Sequence, residues 1–363
     1  MRSKLLTGSL FAALLIGLGY FLTLPQDPLI KANHEHFQYT GRVDFSSPEM
    51  PVFSWPGTMI QTGFTGRSIA LVMDDHYGMN YFNVFIDQDW DNPIVIKGEK
   101  GKKTYPIAYS LSDGEHVLTI TKRTEGEEGA TTFYGVLLAD DGQLTAPPPR
   151  PERRIEFFGD SITSGMGNEG PEGGPDDNKA EKNNFLAYGA ITARNLDAEY
   201  VSTSQSGVGL MTSFVGFTMQ EFYDQLSAID DNNSVWDFNR WTPHVVVINL
   251  FQNDSVLVEE RLDPVPDDEQ RIAVYYDFVR RIRGHYPEAY IICTLGTMDA
   301  SKPGSPWPGY IHAAVDRWKA EADDKRIDVM IFEFKDFYQH PRVRHHRENA
   351  EVLTAYIKDK MGW

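Results

Sequence analysis

Residues Arg153–Gly167 read RRIEFFGDSITSGMG. An apolar run stops at Gly159, and Gly159, Asp160 and Ser161 follow. That pattern predicts a short buried strand ending in a tight turn that carries a hydroxyl. Downstream, the chain alternates between strand and helix signals. NNFLAYGAITARNLDAEY (183–200) has helical spacing, with Phe185, Tyr188 and Ile191 or Thr192 on one side. YVSTSQ (200–205) is a short strand. HVVVINL (244–250) is a β-branched run, as expected of a strand buried on both faces. DDEQRIAVYYDFVRRIRGHYP (267–287) is a helix whose acidic start and basic end suit the helix dipole. AYIICTLG (289–296) and DVMIFEF (328–334) are strands. GYIHAAVDRWKAEA (309–322) and RENAEVLTAYIKDK (347–360) are helices. This alternation predicts an α/β unit: a parallel sheet of about five strands with helices on both faces.

Upstream, the pattern differs. From about residue 37 to 143 the signals are short strands: RSIALVMDD with Ile69, Leu71 and Met73 on one face, then NYFNVFIDQD, EHVLTITKRT and TTFYGVLLAD. Turn residues lie between them and no long segment has helical period, so a β-sandwich is expected. Pro147, Pro148, Pro149 and Pro151 make a stiff extended junction. The expected organisation is a leader at 1–30, a β-sandwich at 31–145, a Pro-rich linker at 146–152 and the α/β unit at 153–363.

The net charge of −18 argues against nucleic acid or an anionic membrane surface as a partner. The single Cys293 lies in an apolar strand and reads as a small core hydrophobe. Arg2 and Lys4 precede a run without charge, Leu5–Leu24. It reads either as a cleaved signal peptide or as an uncleaved anchor. Both place the rest of the chain outside the cytoplasm.

In an open parallel sheet, functional groups gather at the carboxyl ends of the strands. After the first strand comes Ser161, after the second Ser206-Gly207, after the third Phe251-Gln252-Asn253-Asp254, and after the last His340-Pro341. One edge then presents a hydroxyl, a glycine amide, a carboxamide and an imidazole. That set suits acyl transfer: nucleophile, oxyanion donors and base. Asp160 and Asp254 read as acceptors for turn amides. His345 and His346, at the start of the final helix, read as capping or solvent-facing. Trp236 and Trp241 read as core. RLDPVPDDEQ (261–270) reads as a solvated helix start, since it lacks calcium-loop spacing.

The blocks FFGDSIT, SQSGVG, FQND and HP resemble those of SGNH (GDSL-type) hydrolases. YTGRVDFSSPEMPVFSWPG, NYFNVFIDQD, HVLTITKRTE and RRIEFFGDSITSGMGNEG resemble carbohydrate esterase family 2 more closely. The resemblance implies a jelly-roll domain followed by a three-layer SGNH domain, and an enzyme that removes acetyl groups from polysaccharides such as acetylated xylan and glucomannan without a cofactor or metal. It implies Ser161 as nucleophile and His340 as base. The oxyanion hole would come from the N–H groups of Ser161 and Gly207 and the side-chain amide of Asn253.

Two positions depart from the family pattern. Phe251 stands where a glycine is usual, and is expected to narrow the pocket or stack on a sugar. Trp307, in SKPGSPWPGY, is expected to be an exposed sugar platform. Phe337 occupies the position of the usual triad Asp, and Asp336 precedes it. A Ser161–His340 dyad is therefore expected, its imidazole oriented by a backbone carbonyl or helped by Asp336. The other readings are a lipase, thioesterase or aryl esterase of the same fold, or a non-catalytic envelope protein that binds carbohydrate. A monomer is expected.

Overall fold

The structure is a computed structural model and describes residues 29–139, 142–229, 234–335 and 339–363. Before residue 146 it holds β1 (Ile30–Lys31), β2 (Gln38–Thr40), β3 (Val43–Asp44), β4 (Val52–Phe53), β5 (Met59–Thr65), β6 (Ile69–Asp75), β7 (Tyr81–Ile86), β8 (Ile94–Lys97), β9 (Lys103–Ala108), β10 (Glu115–Lys122), β11 (Thr131–Leu138) and β12 (Leu144–Thr145). They form two antiparallel sheets. One has the order β3-β4-β11-β6-β9, with β1 beside β11. The other has the order β12-β5-β10-β7-β8, with β2 beside β5. Ile69, Leu71 and Met73 point from the first sheet into a core shared with Phe64, Phe82 and Ile120 of the second. This is the sandwich that the alternating pattern predicts.

The second half is a parallel sheet with helices on both faces. Its strands are β13 (Arg153–Gly159), β14 (Ala198–Ser204), β15 (Val245–Asn249), β16 (Tyr290–Thr294) and β17 (Ile327–Val329), in the order β14-β13-β15-β16-β17. The helices are α1 (Ser161–Ser164), α2 (Tyr188–Asn195), α3 (Met219–Phe222), α4 (Gln252–Arg261), α5 (Asp268–His285), α6 (Trp307–Ala322) and α7 (Val343–Met361). Tyr188, Leu353 and Ile357 from α2 and α7 cover one face with Phe157 and Val247. Tyr275, Phe278, Ile311 and Val315 from α5 and α6 cover the other with Phe158 and Ile248. β13 lies second from one edge; the chain runs outward from it to β14 and then crosses back to β15, so the switch point lies between β13 and β15. Ligands in such sheets bind outside the strand ends at that point.

The structure refines some expected elements. β17 ends at Val329. Beyond it the chain follows the continuation of β16 through single bonds, among them Met330 N to Cys293 O (2.9 Å), Phe332 N to Leu295 O (3.2 Å) and Lys335 N to Thr297 O (2.9 Å). α4 was not expected, because Asn253 and Asp254 look like turn residues. Cys293 is buried, as expected. Asp267 caps α5 by accepting from Gln270 N at 2.8 Å, so the acidic stretch is a helix start. The Leu5–Leu24 run lies outside the described residues. Among the described residues no helix is long and apolar enough to cross a membrane.

A buried ion pair joins the two halves. Arg42, which follows β2, meets Glu156 of β13 at 3.0 Å, with both side chains shielded from solvent. The same guanidinium donates to the carbonyls of Tyr223 and Gln225, each at 2.7 Å.

Candidate active site

Three adjacent strand ends bring the expected residues to one edge. Gly159 is in register with Ser204 of β14 and Asn249 of β15. Ser161 begins α1, whose N-cap Asp160 accepts from Ile162 N at 3.0 Å. A Cβ at Gly159 would lie 2.0 Å from Thr163 Oγ1, so the tight strand-to-helix turn requires glycine there. Gly207 has φ +79°, a left-handed conformation that glycine adopts at low cost. Asn253 lies in the first turn of α4 and donates from Nδ2 to Val208 O at 2.8 Å. This bond ties the third block to the glycine block. Asp254 accepts from Leu210, Met211 and Thr212 N–H groups at 2.9, 2.6 and 3.2 Å. Burial pushes its carboxyl up to about 6, against those three donors.

His340 Nε2 lies 2.8 Å from Ser161 Oγ. Its Nδ1 lies 2.8 Å from Asp176 Oδ2, and its backbone N–H donates to the same oxygen at 3.1 Å. A carboxylate only accepts, so Nδ1 carries the proton and Nε2 is free to accept from the serine hydroxyl. The other Asp176 oxygen, Oδ1, is paired with Arg342. Burial opposes the Asp176 charge, but the bonds from His340 and Arg342 outweigh it and hold its carboxyl below the usual range. Arg342 also donates to Gly167 O (2.6 Å), Pro171 O (3.1 Å) and Gly174 O (2.7 Å). One guanidinium therefore pins the loop that carries Asp176.

Neither Asp176 nor Arg342 was expected. Asp176 lies in NEGPEGGPDDNKAEKNN (168–184), a polar loop directly after the serine block, and is 164 residues from its histidine. Asp336 lies outside the described residues. The expected dyad with a carbonyl partner gives way to a carboxylate from the loop.

Two expected sugar contacts are corrected. Phe251 is fully buried, with φ +96°, and its ring packs 5.0 Å from both Tyr275 and Trp307. Trp307 begins α6 and is itself buried, stacked under Arg271. Both complete the core behind α4, because the helix packs its first turn inward. Neither ring is available to a sugar. His345 caps α7 by accepting from Arg342 N (3.0 Å), and His346 accepts from Tyr188 N (3.1 Å). Both are buried rather than solvent-facing. Burial pulls His346 down to about 3, so it stays neutral. Trp236 is core, and Trp241 donates to Glu199 Oε2 at 2.9 Å.

Comparison with known proteins identifies the family. Residues 39–148 match the family model described as carbohydrate esterase 2 N-terminal, and residues 157–351 match the GDSL-like lipase/acylhydrolase family. The chain is 32% identical over 336 residues to the cellulase/esterase CelE of Acetivibrio thermocellus. That match covers 90% of this chain and 39% of the larger protein. It is 28% identical to an acetylxylan esterase / glucomannan deacetylase of Cellvibrio japonicus, covering 89% of this chain and 90% of that one. A solved family two carbohydrate esterase from Clostridium thermocellum, in complex with cellohexaose, is 31% identical. It superposes with a TM-score of 0.82, covering 90% of this chain and 99% of that one. A solved family two carbohydrate esterase from Cellvibrio japonicus is 25% identical with a TM-score of 0.81, covering 93% and 98%.

Proposed function

We propose that this chain, which belongs to carbohydrate esterase family 2 and is a carboxylic ester hydrolase acting on carbohydrate, is an exported enzyme that removes acetyl groups from plant-type polysaccharides such as acetylated xylan and glucomannan through an acetyl-Ser161 intermediate. Residues 31–145 form the sandwich unit and 153–363 the hydrolase unit. The apolar run Leu5–Leu24 supports export.

The observation that carries the reading is the chain of contacts from Ser161 Oγ to His340 Nε2 and from His340 Nδ1 to Asp176, each 2.8 Å. A serine hydroxyl is a poor nucleophile until a base accepts its proton. Ser161 Oγ attacks the acetyl carbonyl carbon as His340 Nε2 takes the hydroxyl proton. The N–H groups of Ser161 and Gly207 and the Asn253 amide receive the oxyanion. The bond from the carbonyl carbon to the sugar oxygen then breaks, and His340 returns the proton to that oxygen. Water, deprotonated by His340, attacks the acetyl-serine. Acetate leaves and Ser161 regains its proton. Asp176 holds the imidazole in the required tautomer and stabilises its cation.

The acyl group is proposed to be acetyl because the Cellvibrio japonicus relative is an acetylxylan esterase / glucomannan deacetylase. The non-catalytic alternative rests on Phe251 and Phe337; the Phe251 ring packs into the core while Ser161 and His340 keep their contact, and Phe337 lies outside the described residues. The test is acetate release from acetylated xylan and glucomannan by the full chain, with butyryl and longer esters for comparison. Ser161→Ala and His340→Ala are expected to lose at least about 10³-fold in turnover. Full activity in either variant would refute the assignment. Preference for long acyl chains would favour the lipase reading.

A further inference from the structure

HVLTITKRTE (116–125) enters the sandwich as β10 and leaves it at Glu125, and the proposed chemistry uses none of it. Its last residues point away from the sandwich core and into the hydrolase half. Glu125 is fully buried. Its Oε2 accepts from Ser206 N at 2.5 Å and its Oε1 accepts from Ser206 Oγ at 2.6 Å. Ser206 immediately precedes Gly207, the proposed oxyanion donor. Lys182 Nζ neutralises the site, donating to Glu125 Oε1 and Glu128 Oε1 at 2.7 Å each. Three carboxylates, Glu125, Glu127 and Glu128, converge here in the manner of a metal site, but the Lys182 ammonium occupies the centre. Gly126 comes so close to the opposite wall that a Cβ would lie 1.9 Å from Ala228 O. The contact is built to be tight, and a larger residue would lift the loop off.

We propose that Glu125 of the sandwich is a positioning residue for the hydrolase, fixing Ser206 so that the Gly207 N–H is aimed before substrate arrives. The inference rests on the reading of Gly207 as an oxyanion donor. An oxyanion donor is effective only if it is oriented before reaction, since reorientation would cost the energy it supplies. Ser206 and Gly207 share a peptide plane. A carboxylate holding both the N–H and the hydroxyl of Ser206 leaves that residue little freedom to turn. Burial disfavours the Glu125 charge, but Lys182 outweighs it and holds the carboxyl below its ordinary range. The acceptor is therefore ionised at neutral pH. The preceding Arg123 works on the other side of the site. It donates to Ala180 O (2.7 Å) and Lys182 O (3.2 Å), in the loop that carries Asp176. The sandwich thus supports both the oxyanion turn and the histidine-orienting loop.

The test compares three variants of the full chain on an activated acetyl ester. Glu125→Gln and Ser206→Ala weaken the Ser206 contact. Glu128→Gln removes the equivalent charge facing Lys182 without touching Ser206. Glu125→Gln is expected to lower kcat about tenfold or more with KM within about twofold, and to weaken a boronic acid mimic of the tetrahedral intermediate by a matching factor. Ser206→Ala is expected to show the same split to a smaller extent. Glu128→Gln is expected to lower the melting temperature while keeping kcat within about twofold. Equal kcat losses in Glu125→Gln and Glu128→Gln would reduce Glu125 to a structural ion pair and overturn the proposal. So would an unchanged kcat in Glu125→Gln. Should Glu125→Gln fail to fold, Ser206→Ala decides alone, and an unchanged kcat there overturns the proposal. Ser161→Ala in the same assay tests the underlying reading separately: if it stays active, that reading fails whatever Glu125 does.

Discussion

Asp176 and His340 meet at 2.8 Å across 164 residues of chain, and the carboxylate is itself paired with Arg342 two residues beyond that histidine. In the proposed mechanism the triad acid thus comes from the loop after Ser161 instead of the segment just before His340. Orientation and charge stabilisation both follow from this placement, whereas a backbone carbonyl supplies orientation more than charge. Asp176→Asn keeps the shape but removes the charge and permits the wrong tautomer. It is expected to lower kcat by about 10²–10⁴ with little change in KM. Steady-state kinetics on an acetyl ester would measure this, and a loss below tenfold would return the site to a dyad.

Phe251 holds φ +96° at a position where glycine is the usual occupant in the family this chain resembles. That conformation costs a non-glycine residue on the order of 1–3 kcal/mol. The buried ring between Tyr275 and Trp307 contributes more, since removing a core Phe side chain costs about 3–5 kcal/mol. Packing therefore wins over strain. Phe251→Gly is expected to destabilise the chain by about 1–3 kcal/mol net, read from the shift of its urea transition. A rise in stability would mean that the strain is larger than the cavity.

Much of this was legible in the sequence, and the limit has a physical cause. β13, β15 and β16 were readable because buried parallel strands are continuous apolar runs. Ser161 and Asn253 follow from the ends of β13 and β15, Gly207 from the end of β14, and His340 from the segment beyond β17. Asp176 and Arg342 were not readable. Their partnership is made by a loop folding back, and no local spacing records that. Phe251 and Trp307 misled for a related reason. An aromatic residue beside polar neighbours looks exposed, and only the packing of Phe251 against Tyr275 and Trp307 shows which way the rings turn. Glu125 was visible as part of a motif, but its partner Ser206 lies across the junction between the two halves.

Asp160 gives a pH signature of stability. Burial pushes its carboxyl up to about 7 from an ordinary 3.8. Between those values the folded chain keeps a proton that the unfolded chain has lost. This residue therefore costs stability as pH rises from about 4 to about 7, and the loss is complete above that. Between pH 5 and pH 8 the cost is at most about 2–3 kcal/mol. Asn is also a good N-cap but does not titrate. The stability of Asp160→Asn relative to the parent is thus expected to be more favourable at pH 8 than at pH 5. Urea titrations at both pH values would read the difference. If that difference did not change with pH, the carboxyl would not be raised.

The junction between the halves offers a double-mutant test of the Arg42–Glu156 pair. Both side chains are cut off from solvent, so removing one partner leaves the other charge buried. Arg42→Met is expected to cost about 3–5 kcal/mol. Glu156 would still accept from Tyr286 O–H (2.6 Å) and Thr203 Oγ1 (3.0 Å), but no cation would face it. Glu156→Gln alone strands the guanidinium in the same way. The double variant removes both charges and is expected to recover about 1–3 kcal/mol relative to the sum of the singles. Full recovery is not expected, because the Tyr223 and Gln225 carbonyls lose their donor whenever Arg42 is replaced by Met. The first urea transition of each variant supplies the four free energies. Strict additivity would show that the ion pair contributes nothing to holding the sandwich against the parallel sheet.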